Sequence, residues 1–332
     1  MFTYPVLLGD SGGTNARFAL LPRPGEPAMP LPSTLTSLHR GPVEAIRGAL
    51  HGHDGPPPRS AFIAVATRVD SPVVRLTNAP WTIDAAEIGS RFGLSRVVLV
   101  NDYVPVAASL TALRDGHRDL MRLGPDLPGD RGAMLVLGPG TGLGAAALLP
   151  FGERFVIQST EAAHVDFGPS DEREMALWAK VERVGGRVTA ETLLSGPGLL
   201  RLYRAFALTT GRSAVCATPE AVTSAAIAGT DELAADAVRL FARLLGRFAG
   251  DLALVFGTTG GVFVGGGIAP RLAEVLQAGH FRAGFEDKAP YADLMRRMPA
   301  WVIMQPVPAF TGLSAIAASP DRFLFTSETW AP

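Results

Sequence analysis

The chain has 332 residues, of which 47% are hydrophobic and 18% charged, with a formal net charge of −1. That length suits two domains and a large core, and the near-neutral balance argues against nucleic acid or another polyanion as partner. The single cysteine, Cys216, excludes a disulfide framework and a multi-cysteine zinc site, and it fits a reducing cytoplasm. No basic stretch followed by an apolar core opens the chain, so no signal peptide is expected. The most apolar long region, 240–267, is cut by Arg243, Arg247 and Asp251, so no membrane span is expected either.

Residues 6–8 read as a buried strand that stops at Gly9-Asp10, and 16–20 resume as a second strand. A Pro/Gly-rich surface stretch follows at 22–32, then a helix over 42–50, a loop over 51–59 and a strand over 61–69. The strand 96–100 ends at Asn101-Asp102, and a helix is expected over 105–113. A strand, a polar pair and a helix in that order place Asn101 and Asp102 at the carboxyl edge of a sheet, where α/β proteins bind ligands. Residues 134–149 repeat the opening pattern of strand, Gly/Thr turn and strand, which suggests a duplicated unit.

The second half reads as mostly helical. Helices are expected over 171–184, over 190–208 with a break at Ser195, and over 230–253. Thr218-Pro219-Glu220 supplies a cap and first turn for another. A strand, three glycines and a helix occupy 260–272, a late strand lies at 301–306, and 311–318 read as the last helix. Alternating strands and helices make the fold class α/β.

Three Gly-rich turns follow three apolar strands, at 9–14, 138–144 and 265–267. Glycine lets backbone N–H groups approach an anion and can take positive φ, and Thr14 and Thr141 add hydroxyl donors. Asp10 would repel a phosphate unless a cation lay between them, so its place beside the first turn suggests Mg²⁺, which binds carboxylates sparingly and keeps most of its waters. One such turn is usually only a turn; three, two with Thr and one with Asp, favour a metal-bound polyphosphate. No lysine sits in any of them, which rejects a P-loop. The G-x-G-x-x-A run at 140–145 would need a following helix to bind a dinucleotide. Instead Pro150 and FGERFV point to a second strand.

The motifs LLGDSGGTNARFAL, VLVNDYVPVAASL, VLGPGTGLGAAAL, EAAHVDFGP, TAETLLSGPGL, GGVFVGGGIAPR and FRAGFEDK stand in the order found in the bacterial glucokinase family, hexokinase relatives in the actin-like ATPase superfamily. The sequence resembles that family over nearly its whole length. The resemblance implies a two-domain, ribonuclease H-like fold with an interdomain cleft, the small α/β domain at 1–106 plus about 312–332 and the large one at 107–311. It implies ATP-dependent phosphorylation of the 6-hydroxyl of glucose with ATP and Mg²⁺ as cofactors, in a cytoplasmic homodimer without nucleic-acid or membrane partners. Asp102 then resembles the catalytic base, and Asn101, Glu161, His164 and Glu191 the sugar ligands. Gly9, Asp10, Ser11, Gly12, Gly13, Thr14, Gly140, Thr141 and Gly142 would cradle phosphates, Asp10 would hold Mg²⁺ through water, and Gly265, Gly266 and Gly267 would lie near the adenosine. Hydroxyls both donate and accept, and carboxylates with an imidazole pair them directionally.

Each side chain also has a plainer use. Asp102 could cap a helix, His164 could be an ordinary core or surface histidine, and Glu191, two residues after a capping Thr189, could serve the helix dipole. His39, His51, His53, His117 and His280 fall outside the matching motifs. The chain departs from the family pattern at Ala162-Ala163, where Gly-Gly is common, at Pro139, where a small residue is usual, and at Ser11, where an apolar one is usual. These departures bear on affinity and sugar breadth, and the sequence leaves open the choice among glucose, mannose, glucosamine and fructose, as well as ADP or polyphosphate as donor. A sugar-responsive regulator of the same fold would carry an extra DNA-binding module before the first strand, for which the sequence leaves no room, and the Cys cluster of the related repressor/kinase group is absent.

Overall fold

The computed structural model describes residues 1–77, 79–114, 118–124 and 132–332. His117, set aside above, lies outside them. Two compact units divide the chain: Met1–Leu113, Leu148–Ser159 and Gln305–Pro332 form one, Arg114–Ala147 and Thr160–Met304 the other.

In the first unit, β1 (Val6–Ser11) and β2 (Asn15–Leu21) make an antiparallel hairpin, and β3 (Ser60–Val65) and β4 (Val97–Asn101) extend the sheet in parallel from β1. All six residues of β3 are buried, as parallel strands covered on both faces require, so it reads as one apolar run. β1 outlasts the expected 6–8 because Asp10 does not end it: the residue opposite on β2 is Arg17, which pairs with the carboxylate. Helices α1 (Pro42–Leu50) and α2 (Ala85–Phe92) cover the sheet through Leu7, Phe18, Ile46, Ile63, Trp81 and Ile88. α2 starts where the Asp84 carboxylate accepts the Ala86 and Glu87 N–H groups and stops at Gly93, whose φ of 62° suits a glycine. α3 (Tyr103–Ser109) packs on the C-terminal helix Pro308–Ala318 so closely that a methyl on Gly312 would strike the Pro105 carbonyl.

β5 (Met134–Pro139) of the second unit turns into β6 (Leu143–Phe151), which is followed by β7 (Arg154–Thr160); residues Leu148–Ser159 of this run belong to the first unit. β8 (Gly261–Val264) runs parallel to β5, and β9 (Ala300–Ile303) parallel to β8. β5 thus repeats the role of β1: it opens a hairpin and takes a later strand in parallel on its other side. A strand, not a helix, follows Gly144, which removes the dinucleotide reading, and Pro150 lies inside β6. The second unit's helices include α4 (Glu172–Trp178), α5 (Ala190–Leu193), α6 (Gly196–Thr210), α7 (Pro219–Ala228) and α8 (Glu232–Val255). α8 buries Phe241, Leu244, Leu245 and Phe248 in the core, and at Gly246 the helix Phe281–Glu286 crosses so close that a methyl would strike the Phe281 carbonyl.

α4 ends six residues before the expected 184. The Lys180 and Val181 N–H groups close short bonds to Leu177 and Trp178, three residues back, and Gly185 and Gly186 then turn at positive φ. Among the described residues no helix is long and apolar enough to cross a membrane.

Candidate active site

The sheet register gathers the first unit's candidates along one edge. Ser11 stands beside Val65, and Val65 beside Asn101. The Ala66 N–H donates to the Ser11 carbonyl (3.1 Å) and the Asp102 N–H to the Val65 carbonyl (3.0 Å). The first turn and Asn101-Asp102 therefore leave the same carboxyl edge two strands apart, about 10 Å at the usual strand spacing. Asn101 Oδ1 accepts the Tyr103 N–H (2.9 Å) and its Nδ2 donates to the Thr67 carbonyl (3.1 Å). Asn101 thus does the capping, and the Asp102 side chain makes no cap bond to α3. The Asn101 amide is thus engaged once at each end with backbone, which leaves one N–H and one oxygen lone pair for a ligand, and the Asp102 carboxylate does not take the capping role that was its plainer use.

Asp10 Oδ2 lies 3.2 Å from Arg17 Nη1 across the hairpin, and only 16% of the Asp10 side chain is exposed. Burial pushes its carboxyl pKa up, and the Arg17 guanidinium offsets part of that rise. Arg17 was legible in principle: in a hairpin that closes Gly12 on Asn15, the residue opposite Asp10 is Arg17. Thr36 straps the turn, donating from Oγ1 to the Gly13 carbonyl (2.8 Å), while its N–H donates to the Thr14 carbonyl (3.0 Å). Gly9 and Ser11 lie inside β1 rather than in the turn. A Cβ on Gly9 would stand 3.1 Å from Ile63 Cγ2, so close strand packing accounts for that glycine. The Ser11 hydroxyl is buried without a hydrogen-bond partner among the described residues, between strand neighbours Ala16 and Val65 that belong to the apolar core. Gly9 and Gly12 do not use the positive φ open to glycine.

Among the described residues no three His, Cys, Asp or Glu side chains group to hold a metal. One carboxylate beside a turn rich in backbone N–H suits Mg²⁺, which takes one or two carboxylates together with waters and substrate phosphates.

In the second unit the turns after β5 and β8 pack together. The Gly140 N–H donates to the Gly142 carbonyl (2.8 Å), Gly265 to Leu137 (2.8 Å) and Ile268 to Pro139 (3.2 Å). Gly266 takes φ 77°, and a methyl there would strike the Pro139 carbonyl. The first residue of α6 joins them, the Gly196 N–H donating to the Gly140 carbonyl (2.8 Å). Glu191 Oε2 accepts the Leu143 N–H (2.8 Å) at the start of β6. Capping of α5 falls to Thr189 and Thr192, which form a reciprocal capping box, so Glu191 is not needed for it.

Glu161 precedes and His164 ends one 3₁₀ turn, Ala162–His164, with Oε2 and Nε2 3.8 Å apart and both side chains about half exposed. Ala163 points a methyl into the core, which accounts for alanine there. The strand-like bonds from Ala190 N–H to the Val165 carbonyl (3.1 Å) and from Phe167 N–H to the Val188 carbonyl (2.9 Å) bring this segment alongside the one that carries Glu191. Arg187, which the sequence did not single out, adds a bond to the His164 carbonyl (3.2 Å).

Two α/β units, each opening on a hairpin whose turn lies beside parallel strand ends, make up the actin-like ATPase fold. A family model described as Glucokinase matches residues 7–320. A glucokinase of Mesorhizobium japonicum is 40% identical over 324 residues, covering 96% of this chain and 93% of that protein. A glucokinase structure from an Antarctic psychrotroph superposes with a TM-score of 0.80 at 27% identity, over 94% of this chain and 98% of that one. An ROK family glucokinase from Streptomyces griseus, solved with glucose and AMPPNP, shares the fold at a TM-score of 0.64 and 21% identity, over 94% of this chain and 98% of that one. The chain belongs to the glucokinase family, and it is an enzyme, a sugar phosphotransferase.

Proposed function

We propose that this chain transfers the γ-phosphoryl group of ATP to the 6-hydroxyl of glucose, with Asp102 as general base. The observation that carries the reading is Asp102 itself: a carboxylate at the carboxyl edge of a parallel sheet, at the start of α3, with the capping done by its neighbour. The glucose and AMPPNP bound by the Streptomyces griseus relative support the choice of substrates. In the transfer, O6 bonds to the γ-phosphorus as the bond to the bridging oxygen of ADP breaks. The O6 proton passes to a carboxylate oxygen of Asp102. General-base help of this kind is worth roughly 10²–10⁴-fold.

Glu161, His164 and Glu191 bind and orient the sugar. The turns at 12–14 and 140–142 offer backbone N–H groups to the phosphates, and 265–267 lie toward the adenosine. Asp10 would hold the Mg²⁺ that accompanies ATP, through water. Such an ion neutralises phosphate charge as transfer proceeds. A homodimer and a cytoplasmic location go with the same reading, and light scattering checks the first.

The test is formation of glucose 6-phosphate from glucose and Mg-ATP by the purified protein, coupled to oxidation of the product. Turnover is expected with ATP and glucose. Its absence across a panel of hexoses and of ATP, ADP and polyphosphate would reject the reading.

A further inference from the structure

The chain runs on from His164 through 165–170 into α4. Side chains from elsewhere hold three backbone groups of this stretch. Trp178 Nε1 donates to the Phe167 carbonyl (2.8 Å), Arg247 Nη2 donates to the Gly168 carbonyl (2.7 Å), and Glu174 Oε2 accepts the Ser170 N–H (2.8 Å) and hydroxyl (3.0 Å). Arg247 Nη1 and Glu174 Oε2 pair at 2.7 Å, and the guanidinium lies 4.4 Å from the centroid of the Phe167 ring. One turn earlier on α8, Arg243 reaches Asp171, the cap of α4, at 3.4 Å.

Glu174 is 3% exposed and the Arg247 side chain 15%. A buried ion pair is a poor device for stability alone. Desolvation offsets the attraction, and an apolar pair of similar volume does as well or better. Glu174 Oε1 is buried with no hydrogen-bond partner among the described residues, which adds to the cost. What an apolar pair could not do is fix backbone atoms, and apart from the Ser170 hydroxyl the remaining bonds of this pair go to the backbone of Gly168 and Ser170. The same stretch is joined on its other side to the segment leading to Glu191.

We infer that Arg247 and Glu174 are positioning residues for the sugar site. From α8 and α4 they set the path of 165–170, and through it the place of Glu161 and His164 beside Glu191. The inference rests on the proposed role of those three side chains as glucose ligands.

Four proteins test it: wild type, the double variant Arg247→Met/Glu174→Met, Arg247→Lys and Glu161→Gln. The double variant replaces the pair with apolar groups of similar size and leaves no charge buried alone, so its melting temperature is expected to fall only by the cost of the lost bonds to Gly168 and Ser170. Its KM for glucose is expected to rise about tenfold, since small misplacements of binding groups are costly. Its kcat and its KM for ATP should move by less than about twofold, the split expected when ground-state sugar binding is what changes. Arg247→Lys keeps the charge, but an ammonium cannot present the planar fork that serves Glu174 and Gly168 together, so it should raise the same KM to a smaller extent. A glucose KM unchanged in both variants, whatever their melting temperatures, would overturn the inference, and if the double variant does not fold, Arg247→Lys decides alone. Glu161→Gln separates the two levels. If it raises glucose KM and the Arg247 variants do not, only the positioning role fails. If it leaves glucose KM unmoved, the ligand role fails and the positioning role with it.

Discussion

The turn after β1 and the turn after β5 share a plan of strand, glycine, threonine and strand, and they differ in how a carboxylate reaches them. In the first, the acid is built into the strand: Asp10 faces Arg17 across the hairpin and is largely buried. In the second, it arrives from another segment: Glu191 of α5 accepts the Leu143 N–H and so grips the strand that leaves the turn. The first arrangement keeps negative charge beside N–H groups that would otherwise attract phosphate, which makes sense if a cation comes with the nucleotide. The second ties a candidate sugar ligand to a candidate phosphate turn by one hydrogen bond. One backbone pattern, used twice, thus serves two electrostatic purposes.

The largest effect that sharpens this contrast is expected at Asp10. Asp10→Ala should lower kcat/KM for ATP by about 10–100-fold, as loss of a group that orients a metal's shell does, and should raise the Mg²⁺ concentration needed for half-maximal rate. An unaltered Mg²⁺ dependence would leave the first turn with no cation role. At the second turn, Glu191→Ala leaves the Leu143 N–H without its partner, a change of about 1–3 kcal/mol, and should raise glucose KM. Glu191→Gln keeps an acceptor and should be milder. A loss confined to melting temperature in both would make Glu191 a strand clamp only.

Gly266→Ala places a methyl at φ 77° against the Pro139 carbonyl and should destabilise the protein by about 1–3 kcal/mol in denaturant unfolding. The pH dependence of stability gives a finer test of Asp10. A carboxyl whose folded pKa is raised binds its proton more tightly in the native state than in the unfolded chain. Its contribution to stability therefore falls as pH rises from the unfolded value, about 3.9, through the raised folded value, and stays lost above it. Asp10→Asn should match wild type at low pH and exceed it in melting temperature at pH 7. Equal values at both would mean that Arg17 offsets burial in full. The smallest change is expected at Ser11, where removing a buried hydroxyl that has no partner among the described residues, in Ser11→Ala, should stabilise by about 1 kcal/mol.

Much of the fold was legible because its parallel strands are continuous apolar runs, and because Gly, Thr, Asn and Asp punctuate their ends. That placed the three turns and put Asn101-Asp102 at a strand end. What escaped depends on partners distant in sequence or on the far side of a strand. β1 runs on through Asp10 because Arg17 answers it, and α4 stops early because its last N–H groups close short turns. Adjacent Asn101 and Asp102 are equally good caps on paper, and only the geometry assigns the task to Asn101. Gly9 and Ser11 look like turn residues in a one-dimensional motif, yet they face strand neighbours. Arg247, which the sequence offered only as a break in an apolar run, holds the backbone that follows His164.

The most direct measurement is the kcat of Asp102→Asn for glucose 6-phosphate formation, with glucose binding measured separately by calorimetry. The account predicts a fall of roughly 10²–10⁴-fold in kcat with glucose affinity nearly unchanged, because the variant keeps the shape and loses the base. Turnover close to wild type would contradict it, and would place the proton acceptor elsewhere.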